Sequence, residues 1–152
     1  MPLNWSLNGT ASAAHDMFEI LVVDHNPRDV LLVKECLGRQ YPVAVTVAED
    51  GEQAVRLLAS HNYRPNLVLL ELNIPRLDGY DVLRRIRRGY LTIPIVVLSA
   101  STSQEDVSRA YASGANMYAE KPSDPDRLRR TMHAIARMWV TPLTGARAAS
   151  AG

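Results

Sequence analysis

A chain of 152 residues with 47% hydrophobic and 22% charged side chains is sized for one domain with a real core and short tails. Its net charge of +1 argues against a nucleic-acid or anionic-membrane partner, and its single cysteine, Cys36, rules out an internal disulfide or a cysteine metal cluster. No apolar run approaches the ~18 residues of a membrane span, so no membrane partner and a cytoplasmic location are expected.

Residues 1–16, MPLNWSLNGTASAAHD, lack the basic start and apolar centre of a secretion signal and read as a flexible N-terminal extension. FEILVVD (18–24) is the first strand. Asn26-Pro27, a cap followed by a first-turn proline, opens a helix to about Gly38 that carries Cys36 as a buried thiol. VAVTVAE (43–49) is the second strand. The helix from Gly51 to about Ser60 has Ala54, Val55, Leu57 and Leu58 as its buried stripe. NLVLLE (66–71) is the third strand, and Gly79 to about Gly89 the third helix, carrying Val82, Leu83 and Ile86. After IPIVVLS (93–99), Ser103 and Asp106 resemble a capping box for a helix ending near Gly114. NMYAE (116–120) is the fifth strand. Asp124-Pro125 then opens the last helix, in which Leu128, Met132, Ile135 and Trp139 recur at helical spacing. Three of the strands are apolar at nearly every position, as strands covered on both faces are. The spacing predicts an α/β fold over 17–140, (βα)5 with a doubly wound five-stranded parallel sheet of flavodoxin-like type. Residues 141–152 are expected to be a flexible C-terminal tail.

In such sheets ligands gather beyond the carboxyl ends of the strands, near the switch point. Those ends are Asp24-His25, Glu71, Ser99-Ala100 and Lys121-Pro122. Two carboxylates, an imidazole, a hydroxyl and an ammonium thus fall at equivalent places on four strands.

At these residues the chain resembles the response-regulator receiver domains of two-component signalling, with their CheY-like fold. The segments ILVVDHNPRDVLLVKECL, LVLLELNIPRLDGYDVLRRIR, IPIVVLSAS and GANMYAEKPSD carry the resemblance, which runs from about Phe18 to Trp139. The loops HNPRDV and KPSD are similar to those of small stand-alone regulators that partner phytochrome-type sensor kinases. The resemblance implies a signalling module and not an enzyme, with a sensor histidine kinase or a downstream protein as partner. In that family an aspartate ending the third strand takes a phosphoryl group from a kinase histidine, and two acids after the first strand hold Mg²⁺. By position, Ser99 and Lys121 bind phosphoryl oxygens, Tyr118 is the aromatic whose rotation reports activation, and Asn73 offers its backbone carbonyl to the metal.

Two positions depart from that pattern. Glu71 stands where the phosphoacceptor aspartate belongs, and His25 where the second metal-binding acid belongs. One extra methylene moves the carboxylate outward by roughly a bond length, ~1.5 Å, and a misplacement of ~1 Å can cost about a hundredfold in rate. Mg²⁺ wants oxygen ligands in octahedral geometry, whereas imidazole suits Zn²⁺ or Cu²⁺. The expectation is therefore that no cofactor is required and that Mg²⁺ binding, through Asp24, Glu71 and the Asn73 carbonyl, is weak or absent. Asp24 and Glu71 facing Lys121 and an imidazole leave the pocket close to neutral without metal, and Glu71 is expected to reach Lys121 and Ser99. This describes an atypical single-domain regulator, acting by protein contacts without aspartate phosphorylation, with Glu71 as a partial phosphomimic. The alternatives are an inert acceptor position, a conventional phosphorelay receiver that tolerates the glutamate, and a transition-metal site made of His25, Asp24 and Glu71.

Elsewhere, Arg84, Arg85, Arg87 and Arg88 of LRRIRRG read as a solvated helix face, and Asp78 before Gly79 as a helix cap. His15, His61 and His133 lack metal-like spacing and read as surface residues. The resemblance implies that Tyr111, Tyr118 and the last helix, where receivers of this fold pair with themselves or a target, form a homodimer through the fourth helix, fifth strand and last helix. Met132, Met138 and Trp139 are more apolar than an exposed helix needs, although core packing accounts for most of that stripe. An enzyme on this scaffold is disfavoured, since DHNPRD offers no glycine-rich phosphate turn and no nucleophile arrangement appears at the strand ends.

Overall fold

Each apolar run becomes a strand and each is followed by a helix. The computed structural model describes residues 17–89 and 92–144. In chain order the elements are β1 (Phe18–Val23), α1 (Pro27–Gln40), β2 (Val43–Ala48), α2 (Gly51–Ala59) and β3 (Leu67–Leu70). They continue with α3 (Gly79–Gly89), β4 (Ile95–Ser99), α4 (Gln104–Ala112), β5 (Met117–Glu120), α5 (Pro125–Trp139) and a last turn, α6 (Thr141–Thr144). All strand pairs are parallel, in the order β2-β1-β3-β4-β5. The expected five-stranded doubly wound sheet is present.

Alternation along the strands builds two apolar layers. Ile20, Val22, Leu69, Val96 and Leu98 pack with Leu37 of α1 and Leu128, Met132 and Ile135 of α5. Leu21, Val23, Val68, Leu70 and Val97 face the other way, against Ala54 and Leu58 of α2, Val82, Leu83 and Ile86 of α3, and Ala110 of α4. Removing one such fully buried aliphatic side chain from water stabilises the fold by about 1.5–3 kcal/mol. Cys36 lies in the first layer, where burial pushes its thiol above the ordinary value.

The helices start where the caps place them. Asn26 accepts from the backbone of Arg28, Asp50 from Gln53, Asp78 from Asp81, Ser103 from Asp106 and Asp124 from Arg127. At the other end the chain stays helical through α6, four residues past the expected boundary at 140, with Val140 fully buried beneath it. The expected N-terminal extension, 1–16, and tail residues 145–152 lie outside the described residues. Among the described residues no helix is long and apolar enough to cross a membrane.

The basic run on α3 is not the uniformly solvated face the sequence suggested. Arg84 pairs with Asp81, but Arg87 folds inward. It donates to the carbonyls of Gly114 (2.8 Å) and Ile93 (2.6 Å) and to Asn116 Oδ1 (2.6 Å), pinning the turn between α4 and β5.

Candidate functional site

The sheet register brings the charged residues together. Val23 pairs with Leu70, the last residues of β1 and β3, so Asp24 and Glu71 emerge side by side at the switch point. Backbone bonds continue the ladder one step further, from Asp24 N–H to the Ala48 carbonyl and from Glu71 N–H to the Val23 carbonyl, both at 3.0 Å. Beyond β5, the Lys121 N–H donates to the Ser99 carbonyl at 2.7 Å and so aims the lysine back over β4.

The loop after Glu71 is held down by glycine. A Cβ on Gly79 would lie 2.5 Å from Leu72 Cα and 3.0 Å from the Glu71 carbonyl oxygen. A Cβ on Gly51 would lie 2.1 Å from the Leu77 carbonyl oxygen. Only hydrogen fits at either position, so the loop rests directly on the first residues of α2 and α3. Its tip, Arg76, has φ +72° and reaches Asp50 with its guanidinium at 3.3 Å.

Within the pocket the Lys121 ammonium meets three carboxylates: Asp24 Oδ2 at 2.6 Å, Asp29 Oδ2 at 2.8 Å and Glu71 Oε1 at 3.2 Å. Burial alone would lower the lysine's pKa. The hydrogen bonds to Asp24 and Asp29 and the charges of Asp24 and Glu71 outweigh it and hold the ammonium well above its ordinary range. Asp24, Glu71 and Ser99 are all buried. The second oxygen of Glu71 accepts from the Asn73 N–H at 3.2 Å, and Asp24 Oδ1 accepts from the Asn26 N–H at 3.0 Å.

The expected contact between Glu71 and Lys121 is therefore present, but Glu71 does not reach Ser99, whose Oγ instead accepts from the Ser101 N–H at 3.4 Å. His25 is exposed, and the described residues give it no hydrogen bond or ion pair, so it stands apart from the pocket. The charge balance expected of the site needs correcting too. Asp29, which the sequence pattern did not single out, makes three carboxylates against one ammonium. With His25 outside, the formal charge is −2.

Three carboxylates suit a hard divalent cation in principle, but here their oxygens are directed at Lys121. Among the described residues no group of three or more His, Cys, Asp or Glu is arranged to hold a metal ion, including the histidine-carboxylate set considered from the sequence. As arranged, the pocket holds an ammonium.

A second polar network adjoins the first. The Tyr118 hydroxyl donates to the Ser101 carbonyl at 2.7 Å, which turns the ring inward against the α2–α3–α4 layer. Ser101 Oγ donates to Asp106 Oδ2 at 2.5 Å, and the Tyr80 hydroxyl donates to Asp106 Oδ1 at 2.9 Å. Arg109 stacks its guanidinium over the Tyr80 ring, 3.9 Å from the centroid. These bonds join α3, α4 and β5 through the loop after β4. Asp106 carried a local signal only as part of a helix cap; its bond to Tyr80 carried none, because residues 26 apart in sequence meet only once the sheet is formed.

The family model described as "Response regulator receiver domain" matches residues 20–133. The probable methanogenesis regulatory protein FilR2 of Methanothrix harundinacea is 34% identical over 140 residues, covering 88% of this chain and 90% of that protein. Response regulator MprA of Mycolicibacterium vanbaalenii is 38% identical over 130 residues, 84% of this chain but only 53% of MprA. Among solved structures, the phosphorylated cyanobacterial phytochrome response regulator RcpA superposes with a TM-score of 0.78 at 30% identity, covering 88% of this chain and 99% of that one. The Mn²⁺-bound form of response regulator Rcp1 gives 0.74 at 32% identity, covering 80% and 94%.

Proposed function

Since this chain belongs to the response regulator receiver domains of two-component signalling, its strand-end pocket is the place to read its signal, and we propose that it signals without aspartate phosphorylation. Glu71 occupies the acceptor position and, as a partial phosphomimic, supplies a carboxylate where phosphoryl oxygens would sit. It brings one charge and two oxygens, fewer than a phosphate, yet it already engages the lysine that would otherwise bind that group.

One observation carries the reading: the Lys121 ammonium is shared among Asp24, Asp29 and Glu71 at 2.6, 2.8 and 3.2 Å. In-line phosphoryl transfer depends on positioning and on neutralising charge around the transferring group. Here the acceptor's nearest cation is already engaged and its carboxylate is tied to Lys121 and Asn73. A divalent cation has to displace Lys121 from these oxygens, so binding of Mg²⁺ is weak. The inward Tyr118 supports an active-like arrangement of the loop after β4.

The chain then acts through protein contacts, with a sensor histidine kinase of phytochrome type or a downstream protein as partner. The output face is α4, β5 and α5, where Tyr111 and Met138 are exposed although Met132 is fully buried and Trp139 donates to Met117 Sδ at 3.3 Å. A homodimer through that face is the matching assembly. Retention of Ser99 and Lys121 favours the competing reading, a phosphorelay receiver that accepts phosphoryl groups on Glu71. Incubation with acetyl phosphate and Mg²⁺ followed by intact-mass measurement separates the two. An unmodified mass is expected, and a phosphoryl adduct mapping to Glu71 would overturn the proposal.

A further inference from the structure

We propose that Asp29 is a positioning residue that saturates the Lys121 ammonium and so closes the pocket to a phosphoryl oxygen; this deepens the reading above and rests on it. A lysine ammonium has three N–H donors and no more. Asp24, Asp29 and Glu71 supply three acceptors within 3.2 Å. Asp24 and Glu71 accept hydrogen bonds from the ammonium, and Asp29 adds a third carboxylate as an ion pair at 2.8 Å. Without it, the ammonium loses the carboxylate on its α1 side.

The local structure explains why this residue reaches. Position 25 follows Asp24 directly, but its imidazole is exposed and outside the network. Asn26 then caps α1, accepting from Arg28 N–H at 3.0 Å and Asp29 N–H at 3.4 Å, and Pro27 fixes the first turn. That turn sets Asp29, the third residue of α1, over the pocket with its side chain 16% exposed, against 8% for Lys121 and 6% for Asp24. An acid in the first turn is also favoured by the helix dipole, so the same side chain serves the helix and the lysine. Because Asp29 belongs to α1, any contact that moves this turn also releases a Lys121 donor.

The test reads the lysine itself. In ¹⁵N-lysine-labelled protein the Lys121 ammonium is expected to give a cross-peak protected from solvent exchange. Asp29→Ala should speed that exchange by about tenfold or more, on the order of one lost charge-assisted hydrogen bond, and Asp29→Glu should restore protection. Asp126→Ala removes a first-turn acid of α5 that pairs with Arg129 and not with Lys121; it should leave the Lys121 signal unchanged. An unchanged signal in folded Asp29→Ala overturns the proposal, as does an equal change in Asp126→Ala. Should Asp29→Ala fail to fold, Asp29→Asn, which removes the charge and keeps the shape, gives the same reading. This outcome is independent of whether Glu71 takes a phosphoryl group, which the mass measurement decides.

Discussion

Glu71 Oε1 and Lys121 Nζ lie 3.2 Å apart although their strands, β3 and β5, are not neighbours, so the contact bridges over the end of β4. The glutamate spans that gap with one methylene more than an aspartate has. A shorter side chain would retract the carboxylate by roughly a bond length, ~1.5 Å, and leave the lysine to Asp24 and Asp29.

Replacing Glu71 by aspartate should therefore reopen the pocket. Glu71→Asp is expected to become phosphorylated by acetyl phosphate in Mg²⁺, with a rate gain over wild type on the order of a hundredfold, the scale of a ~1 Å misplacement. The double variant Glu71→Asp/His25→Asp, with a second acid next to Asp24, should go faster still. Intact mass over time checks both. No gain in either would mean the acceptor side chain is not what blocks transfer.

Lys121→Met tests the ion cluster energetically. Removing the cation leaves three carboxylates together in a mostly buried pocket, a change that typically costs about 3–5 kcal/mol. The sign with pH follows from the raised lysine pKa. The folded state holds the proton more tightly than the unfolded chain, so this stabilisation is fully present below the unfolded value of about 10.4. It is lost only as pH rises through the higher folded value. Denaturant midpoints should show a large wild-type advantage over Lys121→Met at pH 7 that shrinks only in strong alkali. Equal midpoints at neutral pH would contradict the prediction.

Tyr80 gives a different alkaline signature. Burial first, and then the hydrogen bond to Asp106, push its phenol up to about 12, above the unfolded value of about 10. Between those values the folded state keeps a proton the unfolded chain has lost, so stability falls as pH rises through that window. Tyr80→Phe should cost about 0.5–1.5 kcal/mol at neutral pH and lose this part of the alkaline decline. Tyrosinate absorbance alongside unfolding curves measures both, and an identical alkaline slope in the variant would refute the assignment.

Much of this was legible in the sequence because it depends on local pattern. The apolar runs fixed the strands, and Asn26-Pro27, Ser103 and Asp124-Pro125 marked helix starts to within a residue or two. The charged strand ends Asp24, Glu71 and Lys121 could be placed together because a parallel doubly wound sheet delivers its strand ends to one edge. What stayed hidden depends on side-chain direction or distant pairing. Asp29 carries no local signal, since nothing distinguishes an ordinary first-turn acid from one that also reaches a lysine 92 positions away. His25 looked like a pocket residue by position, yet its side chain turns to solvent. Arg87 was indistinguishable from Arg84 and Arg88 in a basic run until the turn at Gly114, with φ +115°, packed against it.

Gly79→Ala should confirm that the loop after β3 is set by backbone contact. The added Cβ would sit 2.5 Å from Leu72 Cα, and forcing such a contact typically costs about 1–3 kcal/mol. Thermal unfolding should show the loss, accompanied by amide shift changes at Glu71 and Asn73. A variant as stable as wild type would show that the loop yields without disturbing the carboxylate.

Phosphorylation-independent signalling is tested most directly by the Tyr118 ring, which should already be inward before any phosphodonor is added. In protein labelled with ¹³C-tyrosine, the Tyr118 resonances of wild type should report a half-buried, inward ring and stay unchanged on adding acetyl phosphate and Mg²⁺. A ring that is solvent-exposed at rest and moves inward on addition of the phosphodonor would contradict it.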